Sequence, residues 1–494
     1  MVRLVATHSI RPPGCGERIP MQPHTPPNNQ TRSASLRDQI VGIEREVPLL
    51  DGSTRRYINF DNAASTPALR PVQDKLNELL EWYASVHRGT GFKSMVSTEA
   101  YEDARRIVAA FVGADSETSA VIFGKNTTEA VNKLAARFGL QPGDVVITTQ
   151  FEHHSNDLPW RPRAEVVYAE LNPDGSLDVD DLRQKIEQYA GRLRLVAVSG
   201  ASNVTGFMPP IHQIAEWAHA AGALIFVDAA QLAPHRAIDV GEPGTPGYID
   251  FLALSAHKMY APFGTGALIG SKDFFRRGEP DYRGGGTVEI VTLGDVEWSD
   301  PPERDEAGSP NVLGAVALAA SIRVLEQVGM DAVAAHEKHL MHYALNKLSA
   351  LDGVTLYGSP DPDRLDDRVG VIPFNVEGMP HPKVAAILGY EGGIGVRNGC
   401  FCAHPYILRL LGVSDEDAQQ VRAAMHNRDR SSVPGLVRAS FGCYNTTDEI
   451  DTFVEMLGRI LDGDYQGDYV LDRPTGDYTP RGFDPAILRQ HFEL

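Results

Sequence analysis

Cysteine is scarce in this chain: four residues among 494. That is too few for a disulfide framework at this length, so a reducing compartment, the cytoplasm, is the expectation, and a cysteine with a role must serve through its reactivity. Long apolar runs are also missing; none approaches the roughly 18 residues that a membrane span needs. Positive charge is in short supply, with 46 Lys and Arg against 65 Asp and Glu and a formal net charge of −19. Nucleic acid and anionic membrane surfaces, which need basic patches, are therefore poor candidates for the main partner. What is there, 42% hydrophobic and 22% charged residues, reads as a globular chain long enough for two cores.

Residues 1–35 are rich in proline, asparagine and small polar groups, as in Arg11-Pro-Pro-Gly-Cys15 and His24-Thr-Pro-Pro-Asn-Asn29. Such a composition buries too little apolar surface to order itself, so a disordered arm with an inert Cys15 is expected. Its arginines and single acid, Glu17, also fit an organelle transit segment, which leaves that compartment open beside the cytoplasm; the apolar core of a secretory signal is absent.

From Tyr57 the pattern tightens. Ile58 to Pro67 reads as a short strand and a turn, followed by a helix carrying Val72, Leu76, Leu79, Leu80 and Tyr83 at helical spacing. Strands are then expected at Ala120–Phe123, Val145–Thr149, Leu193–Ser199, Ala223–Val227 and Phe251–Leu254, with helices among the segments between them, such as Val131–Phe138 and Ile211–Ala221. This alternation predicts an α/β fold: a mainly parallel central sheet with helices on both faces.

Ligands of such sheets bind beyond the carboxyl ends of the strands. The residues there are Asn126-Thr-Thr-Glu129, Glu152-His-His-Ser-Asn156, Ala201-Ser-Asn-Val-Thr-Gly206, Asp228-Ala-Ala-Gln231 and Ser255-Ala-His-Lys258. Each has an ordinary reading alone: Asn126 with Glu129 as a capping box, His153 as a turn residue, Asp228 as a helix cap, Lys258 as a solvated surface amine. Five specialised groups at five strand ends argue for one site. A lysine partly desolvated by the fold has its pKa lowered toward the range where it condenses with a carbonyl.

These stretches, with Asp61-Asn-Ala-Ala-Ser65, Val86-His-Arg88, Gly284-Gly-Gly286, Glu306-Ala-Gly-Ser-Pro310, Arg397-Asn-Gly-Cys-Phe-Cys402 and Arg438-Ala-Ser440, resemble the class V aminotransferase group of fold-type I pyridoxal phosphate (PLP) enzymes, and within it the cysteine desulfurase and selenocysteine lyase branch. The resemblance runs from about residue 59 to 461. It implies a large PLP-binding domain (58–325) and a smaller α+β domain built from residues 36–57 and 326–462, with an extension at 463–494, assembled as a homodimer. Carried over residue by residue, it implies Lys258 as the Schiff-base lysine and Asp228 as partner of the pyridinium nitrogen. Gln231 would donate to the ring hydroxyl, His153 would lie over the ring, and Thr127, Thr128, Ser255 and His257 would cradle the phosphate at a helix N-terminus. Asn203 would serve both cofactor and substrate. Ala64, His87, Arg397 and Arg438 complete the implied substrate contacts, with Arg438 as the carboxylate clamp, since guanidinium matches a carboxylate in two parallel hydrogen bonds. The segment Gly284 to Thr292 matches one that reaches the neighbouring subunit's phosphate, without a clear donor.

Transamination needs no cysteine, whereas taking sulfur from cysteine needs a thiol to receive it as a persulfide. Cys402 falls where that branch carries its catalytic cysteine, with Arg397 or His404 expected to raise its thiolate fraction. Cys400 and Phe401 stand where histidine is common in the branch. Read as an extended segment, Cys400 and Cys402 point to the same side, so geometry does not rank them. A zinc site at Cys-x-Cys with His404 lacks a fourth ligand, and no metal is expected. The function implied is a desulfurase or selenocysteine lyase passing sulfur to an acceptor, with an acceptor protein as one candidate partner; the alternative is another class V reaction, a C–S lyase, epimerase or aminotransferase. Val413–Ala418 and Asn427–Pro434 are expected to be surface turns near the substrate entrance, and the aromatic tail is expected to wrap the surface.

Overall fold

The computed structural model describes residues 36–494; the amino-terminal arm, including Cys15, lies outside the described residues. Seven strands form the central sheet in the order Ser119–Gly124, Gly266–Ser271, Phe251–Ser255, Leu224–Asp228, Leu193–Ser199, Val145–Thr149, Glu165–Ala169. The last five in this order are parallel to one another, while Gly266–Ser271 runs antiparallel to both neighbours. The five expected strands are all present; the edge strand Glu165–Ala169, with only Ala169 fully buried, is not among them.

The strands are buried on both faces, and their side chains divide with period two. Val145, Ile147, Ile225, Val227, Leu252 and Leu254 face one core, with Leu182, Ile186, Ile214 and Ala218 of two covering helices. Val146, Phe226 and Ala253 face the other, against Ala130, Val131 and Leu134 of the helix Thr127–Arg137. Helices on both faces follow from this alternation.

A second, antiparallel sheet, in the order Val354–Leu356, Val371–Val376, Leu436–Ser440, Arg397–Gly399, has its own core with the helices Met330–Leu348, His381–Gly392 and Thr447–Leu461. Ile58 and Phe60 pack into this core too, and Ile58–Asn59 pairs in parallel with Ile394–Gly395. The chain thus passes through the second core at Ile58 and Phe60, although Leu36 and Ile40 before them are already packed in the first. Among the described residues no single helix is long and apolar enough to cross a membrane.

Of the two polar stretches expected as turns, Asn427–Pro434 is turn and loop, whereas Val413–Ala418 runs into a helix. Ser414 caps a helix, Asp415–His426, with Asp415, Glu416 and Asp417 in its first turn, where acids meet the positive end of the helix dipole. No residue of that helix is buried, so it lacks the strong apolar stripe that announces a helix in sequence. The tail after 463 does lie on the surface: Glu391 accepts from the Gln466 and Gly467 amides and from the Tyr469 hydroxyl, and Phe483 packs edge-on against Tyr390.

Candidate functional site

The carboxyl ends of the parallel strands open on a cavity of about 320 Å³ between the two cores. Thr127, Thr128, His153, Asn203, Asp228, Gln231, Ser255, His257, Lys258, Ala64, Arg397, Cys402 and Arg438 all line it. Among the residues expected to hold cofactor or substrate, His87 alone stands apart. It lies beside a separate cavity with Arg88 and Glu306, its ring edge-on to Tyr101 at 5.7 Å.

One wall is the amino end of the helix Thr127–Arg137. Asn126 caps it by accepting from the Glu129 amide, and the Glu129 carboxylate accepts from the Lys125 amide. Thr127 N–H donates to Ser255 Oγ at 2.9 Å, the Thr127 and Ser255 hydroxyls lie 2.8 Å apart, and those of Thr128 and Ser155 lie 2.6 Å apart. The positive end of the helix dipole with clustered hydroxyls makes an anion cradle. Gly266 keeps it open: a Cβ there would meet the Asn126 backbone at 2.6 Å. Ser155 is part of this cluster and was not picked out in the sequence, where a serine two residues after His153 looks like any turn residue.

Lys258 ends a single 3-10 turn after the strand Phe251–Ser255. Burial, opposed by the Asp228 charge, brings its amine down to about 8, so roughly a tenth of it is neutral at pH 7, far more than for an ordinary lysine. Asp228 is buried, accepts from the Ala230 amide at 2.9 Å, and is pushed upward by desolvation. Gln231 Nε2 donates to the Ala63 carbonyl at 2.7 Å, while its Oε1 has no protein partner despite being buried. The His153 ring accepts the Ser155 amide on Nδ1; burial, then the nearby Lys258 charge, takes its pKa to about 3, so it is a neutral flat surface at pH 7. Behind it Glu152, fully buried and pushed up to about 7 by desolvation, accepts from Thr149, Asn156 and Ser199 and ties the His153 turn to two strand ends.

On the opposite side Arg438 is buried, with its guanidinium 4.8 Å above the Phe401 ring. Nη1 donates to the Asn203 carbonyl at 2.8 Å and Nη2 to Asp61 at 3.2 Å, while Nε has no acceptor. Arg397, half-exposed, holds the other oxygen of Asp61 at 2.8 Å. Asp61 and Phe401 thus orient both arginines. The sequence showed Asp61 only as part of a motif, because the strand pairing that sets Arg397 opposite Arg438 joins distant segments.

The two thiols of Cys400-Phe401-Cys402 are separated. The segment is not extended: Gly399 turns at φ 104°, and Phe401 and Cys402 take φ of 49° and 55°. Cys400 is buried, donates to the Pro434 carbonyl at 3.1 Å, and burial pushes its pKa up to about 11. Cys402 is exposed on the cavity, where the charges of Lys258 and Arg438 reach it. His404, expected beside the thiol, instead stacks on His154 at 5.0 Å.

The residues present fit PLP. They offer an amine of lowered pKa, a buried carboxylate, a neutral ring cover, an anion cradle of clustered hydroxyls at a helix N-terminus, and an unpaired Gln231 Oε1 in one cavity.

Comparison with known proteins agrees with this geometry. The family described as aminotransferase class-V matches residues 58–453. A probable cysteine desulfurase of Halobacterium salinarum is 38% identical over 427 residues, covering 84% of this chain and 95% of that protein. The apo cysteine desulfurase of Thermococcus onnurineus NA1 superposes with a TM-score of 0.72 at 35% identity, over 82% of this chain and 95% of that one. The Escherichia coli cysteine desulfurase CsdA, in an S-sulfonic acid form, gives 0.71 at 29% identity, over 87% and 98%.

Proposed function

Because this chain belongs to the class V aminotransferase family, we propose that it is a PLP-dependent cysteine desulfurase that leaves the sulfur as a persulfide on Cys402. The carrying observation is that one exposed thiol, Cys402, shares a cavity with Lys258 and Arg438, while Cys400 is turned away and buried. In the net reaction cysteine and the Cys402 thiol give alanine and a Cys402 persulfide. A C–S bond and an S–H bond break; an S–S bond and a C–H bond form.

Bound PLP supplies the electron sink that lets the substrate carbon carry the electron pair of the broken C–S bond. Lys258 is the amine that holds it, and the same Nζ is placed to move a proton to or from the substrate carbon. Asp228, held by the Ala230 amide, would partner the ring nitrogen of bound PLP and keep its proton there. The helix end at Thr127, with Thr128, Ser155, Ser255 and His257, would receive the phosphate, and Gln231 and neutral His153 would hold the ring. The unpaired Nε–H of Arg438 receives the substrate carboxylate, with Asn203 and Arg397 beside it and Ala64 in the wall. Cys402, exposed on the cavity beside Lys258 and Arg438, is the sulfur acceptor.

Selenocysteine meets the same groups. The expected homodimer and the onward sulfur acceptor, a small thiol or a protein, belong to this proposal, as does a cytoplasmic location. The hairpin Val288–Val291 and Val296–Trp298, with Ile290, Val291 and Leu293 exposed, supports a second copy as occupant of that face.

The test is to incubate the PLP-loaded protein with cysteine, quantify alanine, and locate added sulfur by mass spectrometry. Cys402→Ala should keep PLP and lose the persulfide, while Cys400→Ala should retain both. Sulfur found only on Cys400, or full cysteine turnover by Cys402→Ala, would overturn the assignment in favour of another class V reaction.

A further inference from the structure

Phe401 and Cys402 adopt left-handed backbone angles, a region that non-glycine residues enter only when their surroundings hold them there. The peptide groups on either side are pinned: Asn203 Nδ2 donates to the Phe401 carbonyl at 2.7 Å, and the Ala403 amide to the Cys400 carbonyl at 2.8 Å. Two further bonds involve one residue. The His154 amide donates to the Cys402 carbonyl at 2.8 Å, and the His404 amide donates to His154 Nε2 at 3.2 Å. His154 therefore grips the chain on both sides of Ala403, directly behind the reactive thiol.

The proton positions follow from this geometry. A ring nitrogen that accepts an amide N–H carries no proton, so His154 has its proton on Nδ1. His404 Nδ1 also lies 3.2 Å from His154 Nε2, which requires a proton on His404 Nδ1 if two lone pairs are not to face each other. The rings stack with planes 8° apart, so either ring's protonation sets a cation against its neighbour.

We propose that His154, paired with His404, is the positioning residue that holds Cys402 in its left-handed turn over the cavity, and that protonation of the pair releases the turn. This rests on the desulfurase reading only for the role of Cys402. The charged groups around the pair come from three elements. Asp157, Arg161 and the His153 ring lie on the turn of His154 itself; the Tyr168 hydroxyl donates to Asp157; Arg430 faces His404 from the segment before Leu436–Ser440. Burial first, then His404 and Arg161 against Asp157, keep His154 below the ordinary imidazole value, and burial and Arg430 do the same for His404. The pair is neutral at pH 7 and the clamp is closed there; it opens as pH falls.

The test uses PLP-loaded wild type, His154→Ala, His154→Gln and His404→Ala, with two readouts: hydrogen exchange of the peptide spanning residues 401–406, and the pH profile of single-turnover persulfide formation on Cys402. Loss of one hydrogen bond at a strained turn should make His154→Ala exchange the His404 amide about tenfold faster and form persulfide about tenfold more slowly at unchanged PLP absorbance. His154→Gln, whose amide oxygen accepts as Nε2 does, should recover both to within about threefold and lose the acid limb of the profile. His404→Ala removes the opposing imidazole and should move that limb to higher pH. Wild-type protection of the His404 amide in His154→Ala, or a wild-type acid limb in His154→Gln, would overturn the proposal. Should His154→Ala fail to fold, the other two variants decide it. Absence of persulfide in the wild type would refute the desulfurase reading and leave the exchange test of the clamp intact.

Discussion

Arg438→Ala is the perturbation whose size the structure lets us work out most directly. Of the guanidinium's five N–H groups, one goes to Asn203 and one to Asp61, and Nε–H has no acceptor although the side chain is buried. A buried charged donor without a partner is costly, so the site stands ready for an anion. A hydrogen bond to a charged group contributes about 1.5–3 kcal/mol, so a carboxylate held by two of them is worth roughly 3–6 kcal/mol. Arg397 already holds Asp61 at 2.8 Å and compensates in part, which favours the lower end, a loss of roughly 100- to 1,000-fold in kcat/KM at 1.4 kcal/mol per decade. The fold should lose much less, about 1–3 kcal/mol, because Asp61 keeps Arg397 and is not left as an unpaired buried charge. Arg438→Lys keeps the charge without the fork and should fall between the two. Initial rates of alanine formation against cysteine concentration, PLP absorbance and a thermal melt separate the effects. A kcat/KM within about fivefold of wild type, with PLP bound, would refute the carboxylate clamp, since even one lost charged hydrogen bond costs more.

Two further predictions concern pH. Because burial lowers Lys258 to about 8, PLP uptake by the cofactor-free protein, followed by absorbance, should accelerate as pH rises through about 8; a midpoint near the ordinary 10.5 would contradict the desolvated amine. Lys258→Ala should acquire no Schiff-base absorbance at any pH. The second follows from Glu152, whose folded-state pKa is raised from 4.5 to about 7. The folded state then binds more protons than the unfolded one between these values, so this group's contribution to stability is fully present below about 4.5 and lost as pH rises through about 7. Thermal melts of Glu152→Gln minus wild type should show a difference that changes across that window, and a pH-independent difference would refute the shift.

Much of the site was legible before any fold was known, because its chemistry sits at strand ends. Lys258, Asp228, His153 and Thr127 each follow an apolar run, and a parallel sheet brings such positions together whatever the details of its packing. The alternation of strands and helices likewise follows from local periodicity. Other features needed the tertiary structure. Asp61 joins Arg397 and Arg438 only because Arg397–Gly399 pairs with Leu436–Ser440 and the chain from Phe60 to Ala63 crosses their ends. Cys400 and Cys402 are equivalent in an extended reading; they are separated by two left-handed residues that long-range hydrogen bonds hold in place, and local preference opposes that conformation. His404 meets His154, 250 positions away, and nothing in either neighbourhood announces the pair. Local sequence determined which groups line the strand ends, through propensity and periodicity, whereas the direction in which each thiol and each arginine points was decided by contacts between distant segments, which no local pattern encodes.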